Sequence, residues 1–417
     1  MTATPEGIFP TFFLSGFECS TFDWHGVGRR DLVAETRHRE HVAEDYRMLA
    51  DLGIAVSRES IPWPFVDRSG ELDFSTIDAT LEAMNDSAVA PIWDLCHYGY
   101  PDDLDPYGPD FVDRFARYCR AAAEYVIPRV AARSPNYFTP MNELTYFATA
   151  GAEWGLFAPF GTNPRGRDAL RLRLCEAAIA GIRAIREVDS SARMIAMDPV
   201  VNVVAPVDRP DLVEAADIET YADTFVAWDI LAGLQHPELG GSPDVLDIVG
   251  ANCYSFGQME YRENGRHESL DPGDPRIKPL CDLLELAWQR YERPMLVSET
   301  SGLRDGRADW LRDLMHEALA AVDRGVELHG VCLYPAVDMP DWNTGEWLHN
   351  GIADVQPDGD DLIRIPDRAY IDELRRWQRL LNRTERLDED PFSDPVDLGD
   401  VIAAARRLHL RADPDWA

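Results

Sequence analysis

One lysine, Lys278, stands among 417 residues. Every other strongly basic residue is arginine, and 40 bases face 74 acids, for a formal net charge of −34. So little positive charge argues against a nucleic-acid surface, which needs a basic footprint to meet phosphates. It argues equally against docking on anionic lipid. No run approaches the ~20 apolar residues that span a membrane. The opening MTATPEGIFPTFFLSGFECS lacks the basic head and long apolar stretch of a secretory signal. The seven cysteines form no CxxC pair, which excludes zinc ribbons and thioredoxin-type redox sites. They are expected as buried thiols in a reducing, cytoplasmic setting. GxGxxG and P-loop patterns are missing, so a doubly wound nucleotide-binding sheet is the lesser reading. His25 and His97 are isolated rather than paired as His-x-His, which argues against a metal-dependent barrel hydrolase; no metal or cofactor is expected.

What the chain has in quantity is apolar material, 45% of its residues, in a regular alternation. Strand-like runs recur at Phe12–Glu18, Ile54–Arg58, Ala90–Cys96, Tyr137–Met141, Met194–Met197, Ile248–Tyr254, Met295–Ser298 and Gly330–Tyr334. Several are nearly continuous in apolar residues, as parallel strands buried on both faces require. Between them lie stretches with apolar spacing of three and four, such as Arg37–Leu52, Ser75–Asn85, Asp110–Ala132, Arg167–Glu187, Ala222–Ala232, Asp282–Tyr291 and Asp309–Arg324. Eight strands, each followed by a helix or long connection, predict an α/β fold, the (β/α)8 TIM barrel, as one domain over residues 1–385. Residues 386–417 form an acidic, proline-punctuated extension with a short helix over Leu398–Leu408, expected to pack on the barrel. An interface between copies is the alternative role, which leaves a homo-oligomer open.

In such a barrel the chemistry sits at the C-terminal ends of the strands. Those ends read Glu18, Arg58-Glu59, Asp94 with His97, Asn142-Glu143, Asp198, Asn252 with Tyr254, Glu299, and Asp338 with Trp342. Glu143 and Glu299 end the fourth and seventh strands, across the mouth from each other. Two facing carboxyls about 5 Å apart supply the acid/base and nucleophile of a retaining glycosidase.

These motifs carry a resemblance. Asn-Glu ending the fourth strand and Glu ending the seventh resemble the clan A glycoside hydrolases, closest to family 1, the β-glucosidase-like group. The likeness runs from about Phe12 to Asp354 through Phe13–Gly26, Gly53–Trp63 (GIAVSRESIPW), His97–Pro101 (HYGYP), Gly155–Phe160 (GLFAPF), Ile248–Ser255 (IVGANCYS) and Leu333–Trp342 (LYPAVDMPDW). The resemblance implies Glu143 as general acid/base and Glu299 as nucleophile. It implies that Arg58 and Tyr254 contact the nucleophile, Asn142 the sugar 2-OH and His97 a glycon hydroxyl. Asn252 joins this group, with Tyr334, Trp342, Asp341 and Asp23 shaping the glycon subsite. Trp63, Trp93, Tyr98, Trp154 and Trp347 are candidate outer-subsite aromatics, of which two are expected to serve. A cis Tyr334-Pro335 bond is also expected.

The departures bear on substrate. Leu144 replaces the proline of the family's Asn-Glu-Pro, Asp23 its sugar-binding glutamine, Asp341 its outer-glycon glutamate, His25 a glutamate and Tyr334 its platform tryptophan. A glycon distinct from plain glucose is expected, without a phosphate, since no Lys/Arg pair marks the strand-8 loop. The expected function is hydrolysis of a β-glycosidic bond by double displacement. A transglycosylase using the same glutamates, or a catalytically silent carbohydrate-binding barrel, is the alternative. The expected partner is a carbohydrate or glycoside, not nucleic acid or membrane.

Overall fold

The computed structural model describes residues 8–131 and 135–383. The C-terminal extension and its short helix therefore lie outside the described residues. Eight parallel strands close into a barrel: β1 (Phe13–Gly16), β2 (Val56–Ser60), β3 (Ala90–Asp94), β4 (Tyr137–Thr139), β5 (Arg193–Pro199), β6 (Ile248–Asn252), β7 (Met295–Thr300) and β8 (Leu328–Leu333). Each pairs with its neighbour in chain order, and β8 returns to β1 with Phe13 opposite Val331. The (β/α)8 fold predicted from the alternation is the fold observed.

The outer layer follows the chain: α1 (His38–Asp51), α2 (Asp78–Ser87), α3 (Phe111–Val126), α4 (Leu144–Ala152), α5 (Pro164–Val188), α6 (Val213–Thr224), α7 (Val226–Leu231), α8 (Leu280–Tyr291), α9 (Arg307–Asp323) and α10 (Arg368–Arg383). Local chemistry sets the boundaries. At α5, Asn163 accepts from Gly166 N at 2.8 Å and Pro164 occupies the first turn, where its missing N–H costs nothing. The helix thus starts three residues before the predicted Arg167.

The barrel interior is a separate apolar cluster. Leu14, Val56, Ile92, Ile195, Ile248 and Leu296 fill it, and Phe9 closes the bottom against Tyr137 with ring centroids 5.0 Å apart. A second, larger cluster lies between strands and helices. With the bottom sealed by side chains, polar groups collect at the opposite rim. Gly16 on β1 matters to that rim: a Cβ there would stand 2.8 Å from both Arg58 Cβ and the Tyr334 ring, so only glycine lets the two side chains meet.

All seven cysteines are free and buried. Among the described residues, no helix is long and apolar enough to cross a membrane.

Candidate active site

Alternation along β2 sends Arg58 into the mouth and Glu59 out to the helix layer. Glu59 there accepts from Tyr46 Oη at 2.9 Å and lies 3.1 Å from His38 Nε2. Arg58 is fully buried and works as a hub. Its Nη1 donates to Glu299 Oε1, and its Nη2 to Asp94 Oδ2 at 2.5 Å and to Asn142 Oδ1 at 2.6 Å. Its Nε reaches Asp94 Oδ2 at 3.1 Å, and its Cζ lies 4.9 Å from the Tyr334 ring centre. One guanidinium thereby links the ends of β2, β3, β4 and β7. A buried cation needs such partners, because removing it from water unpaired is very costly. Burial alone would raise the Asp94 carboxyl, but the charges of Arg58 and His97 outweigh it and hold it below its ordinary range.

Glu299 receives a second bond from Tyr254 Oη at 3.1 Å. Arg58 and Tyr254, the two residues expected to contact Glu299, both do so. Glu143 is held differently, by Asn252 Nδ2 at 2.8 Å on Oε1 and by the Tyr98 hydroxyl on Oε2. Asn252 is itself oriented by Ser298 Oγ, which donates to its Oδ1 at 2.6 Å. The Glu143 backbone takes the left-handed conformation, φ 44°, and its N–H bonds Met197 O on β5 at 3.0 Å. Asp198, next on β5, accepts from the N–H and hydroxyl of Thr145 at 3.1 and 2.8 Å, fixing the start of α4 just after Glu143.

The two glutamates thus differ in environment. Burial, and then the charge of Glu299, push the Glu143 carboxyl from 4.5 up to about 7, against the bonds from Tyr98 and Asn252. Glu299 instead faces the Arg58 cation.

His97 and Asn142 are buried and satisfied by protein partners. The His97 Nδ1 lies 2.9 Å from Asp94 Oδ2, and its Nε2 lies 3.1 Å from Asn142 Nδ2. Asn142 Nδ2 also reaches Tyr98 Oη at 3.0 Å. Tyr334 is 3% exposed and its hydroxyl accepts from Cys19 N at 3.1 Å. The Tyr334-Pro335 bond is cis. Trp342 lies against Phe22 and Tyr98, with centroids 4.8 and 5.8 Å away, and its buried Nε1 has no hydrogen-bond partner among the described residues. Asp341 Oδ1 accepts from Asn343 N and Thr344 N at 2.9 and 2.8 Å, turning its own loop. Asp23 is half-buried in a hairpin pairing Asp23 with Arg29.

Of the outer-subsite candidates, Trp63 and Trp93 are buried in the core, and Trp63 packs on Phe115 at 4.9 Å. Tyr98 sits on Glu143 itself. Sequence reasoning gave it only a place among the aromatics; its position right after His97 was the available signal. Asp94 is the other partner underrated, since its role appears only once Arg58 is seen to lie beside it.

No protein-family model matches the chain. Two curated relatives do. The aryl-phospho-beta-D-glucosidase BglC of Bacillus subtilis is 22% identical, with 80% of this chain and 85% of that one covered. The beta-glucosidase A of Acetivibrio thermocellus is 24% identical, with 82% and 86% covered. Among solved structures, a beta-glucosidase from Thermotoga maritima in complex with glucoimidazole superposes with a TM-score of 0.72 at 18% identity, covering 90% of this chain and 98% of that one. The AHE enzyme from Alicyclobacillus herbarius superposes with a TM-score of 0.69 at 18% identity, covering 90% and 100%. The resemblance carried by the motifs is borne out at low identity: over most of its length the chain is similar to β-glucosidases, in sequence and in fold. Its relatives are of the family 1, β-glucosidase kind, at low identity.

Proposed function

We propose that the chain is a retaining β-glycosidase that hydrolyses an O-glycosidic bond through a covalent glycosyl-enzyme. The observation that carries this is the split between two carboxyls at one mouth: Glu143 raised to about 7, Glu299 bonded by Arg58 and Tyr254. Glu143 gives its proton to the leaving oxygen while Glu299 attacks the anomeric carbon, forming an ester. Esterification removes the negative charge of Glu299, one of the two causes that raise Glu143. Glu143 then becomes a better-populated base and takes a proton from the water that hydrolyses the ester.

The glycon is proposed to differ from plain glucose. Asp23 and Asp341 bring two acids where neutral sugar hydroxyls, not a phosphate, are the compatible partners. The test is kinetic. Glu143→Ala should slow substrates with poor leaving groups far more than activated aryl glycosides, because only the former need the proton. Equal loss on both would remove Glu143 from the acid role. Fast turnover of an ordinary aryl β-glucoside would remove the altered glycon.

A further inference from the structure

Behind the Trp342 loop, three potential ligand atoms converge that the glycosidase mechanism does not use. They belong to Asp338, just past β8, and to His349 and Asp354, all within 4.8 Å of one another. His349 Nδ1 stands 3.6 Å from Asp338 Oδ2 and 3.2 Å from Asp354 Oδ1. The edge of a tetrahedron around zinc, with bonds of about 2.0–2.1 Å, is roughly 3.3–3.4 Å. Two of the three edges are therefore close to the length a bound ion imposes.

A second observation is independent of that spacing. Asp338 is 0% exposed, and its Oδ2, the oxygen facing the cluster, has no hydrogen-bond partner among the described residues. Its Oδ1 is already used, accepting from Met339 N and Asn350 N at 2.9 and 3.1 Å. A buried carboxylate oxygen left bare is costly, and a cation removes the cost. The local charge agrees. Arg307 bonds Asp354 at 2.8 Å and Asp367 at 2.7 Å, so one cation stands against Asp338, Asp354 and Asp367. Counted formally, three carboxylates against one guanidinium leave a surplus of two negative charges. The His349 side chain is 45% exposed, which gives an ion a path from solvent.

We propose that Asp338, His349 and Asp354 bind one divalent transition-metal ion of the zinc type. The ion is structural: it ties the two ends of the loop Asp338–Asn350, which carries Asp341 and Trp342, to Asp354.

The experiment uses the full chain, treated with chelator and then titrated with Zn2+ by calorimetry. A second cluster, Glu219, Asp223 and His267, offers ligand atoms elsewhere on the barrel and serves as the control. One equivalent should bind, and the melting temperature should rise with Zn2+ as for any ligand of the folded state. His349→Ala should lose that equivalent and the thermal shift, and His267→Ala should keep both. His349 is partly exposed, so the variant is expected to fold, which circular dichroism checks. Absence of Zn2+ binding by the intact chain, or binding that survives His349→Ala, would overturn the proposal.

Discussion

Glu143→Gln should stabilise the protein at neutral pH while disabling it. In the folded chain the carboxyl keeps its proton to about pH 7; unfolded, it releases it near 4.5. Between those values the folded state binds more protons, so stability falls as pH rises, and above 7 the whole penalty is present. The interval corresponds to about 3 kcal/mol, at about 1.4 kcal/mol per tenfold change in proton affinity. Glutamine carries no such charge. It does present an amide NH2 to one of the two donors, Tyr98 or Asn252, losing roughly 1 kcal/mol of hydrogen bonding. The variant should therefore be about 2 kcal/mol more stable than the parent at pH 8. At pH 4, where the parent carboxyl is protonated in both states, it should be no more stable. Urea denaturation of both proteins across this range reads the difference directly. A stability difference that stays flat with pH would refute the idea that Glu143 is held protonated by its surroundings.

The other predictions concern its neighbours. The rate constant kcat/KM should fall as pH rises through about 7, and Tyr98→Phe, which removes a bond that lowers Glu143, should move that falling limb to higher pH. An activated fluorosugar should add a covalent mass to Glu299 in the parent and none in Glu299→Gln; labelling at another residue would displace Glu299 as nucleophile. Arg58→Ala should lower stability by roughly 3–5 kcal/mol in chemical denaturation, because Asp94 and Glu299 lose their common cation inside the protein.

The barrel was legible because buried parallel strands advertise themselves as apolar runs, and all eight runs became strands. Their ends shifted by at most two residues, as at Gly330–Tyr334, which is observed as Leu328–Leu333. Three helices, α4, α6 and α10, fall wholly or mostly outside the predicted stretches, two of them for identifiable reasons. The α4 segment LTYFATAGA is buried on nearly every face, so it shows no polar stripe to set a helical period. In α10 the period is present, but it runs directly up to the acidic, proline-punctuated break from Arg386, which masks it as an element of its own. The site was legible through the strand-end rule, which named Glu143, Glu299, Arg58 and Tyr254 together. Pairwise bonding was not: period-two alternation alone does not say that Glu59 serves His38 and Tyr46 while Arg58 serves the mouth.

The Arg58 hub has an evolutionary corollary. Because one side chain both bonds Glu299 and ties four strand ends, mutational drift cannot remove it without also loosening the barrel. Descendants that lost sugar chemistry at this residue would first have to find a new way to neutralise Asp94. Selection for a folded protein alone would thus preserve part of the catalytic apparatus. Innovation is free to proceed instead on the Asp23 and Asp341 loops, where this chain already departs from the family's pattern.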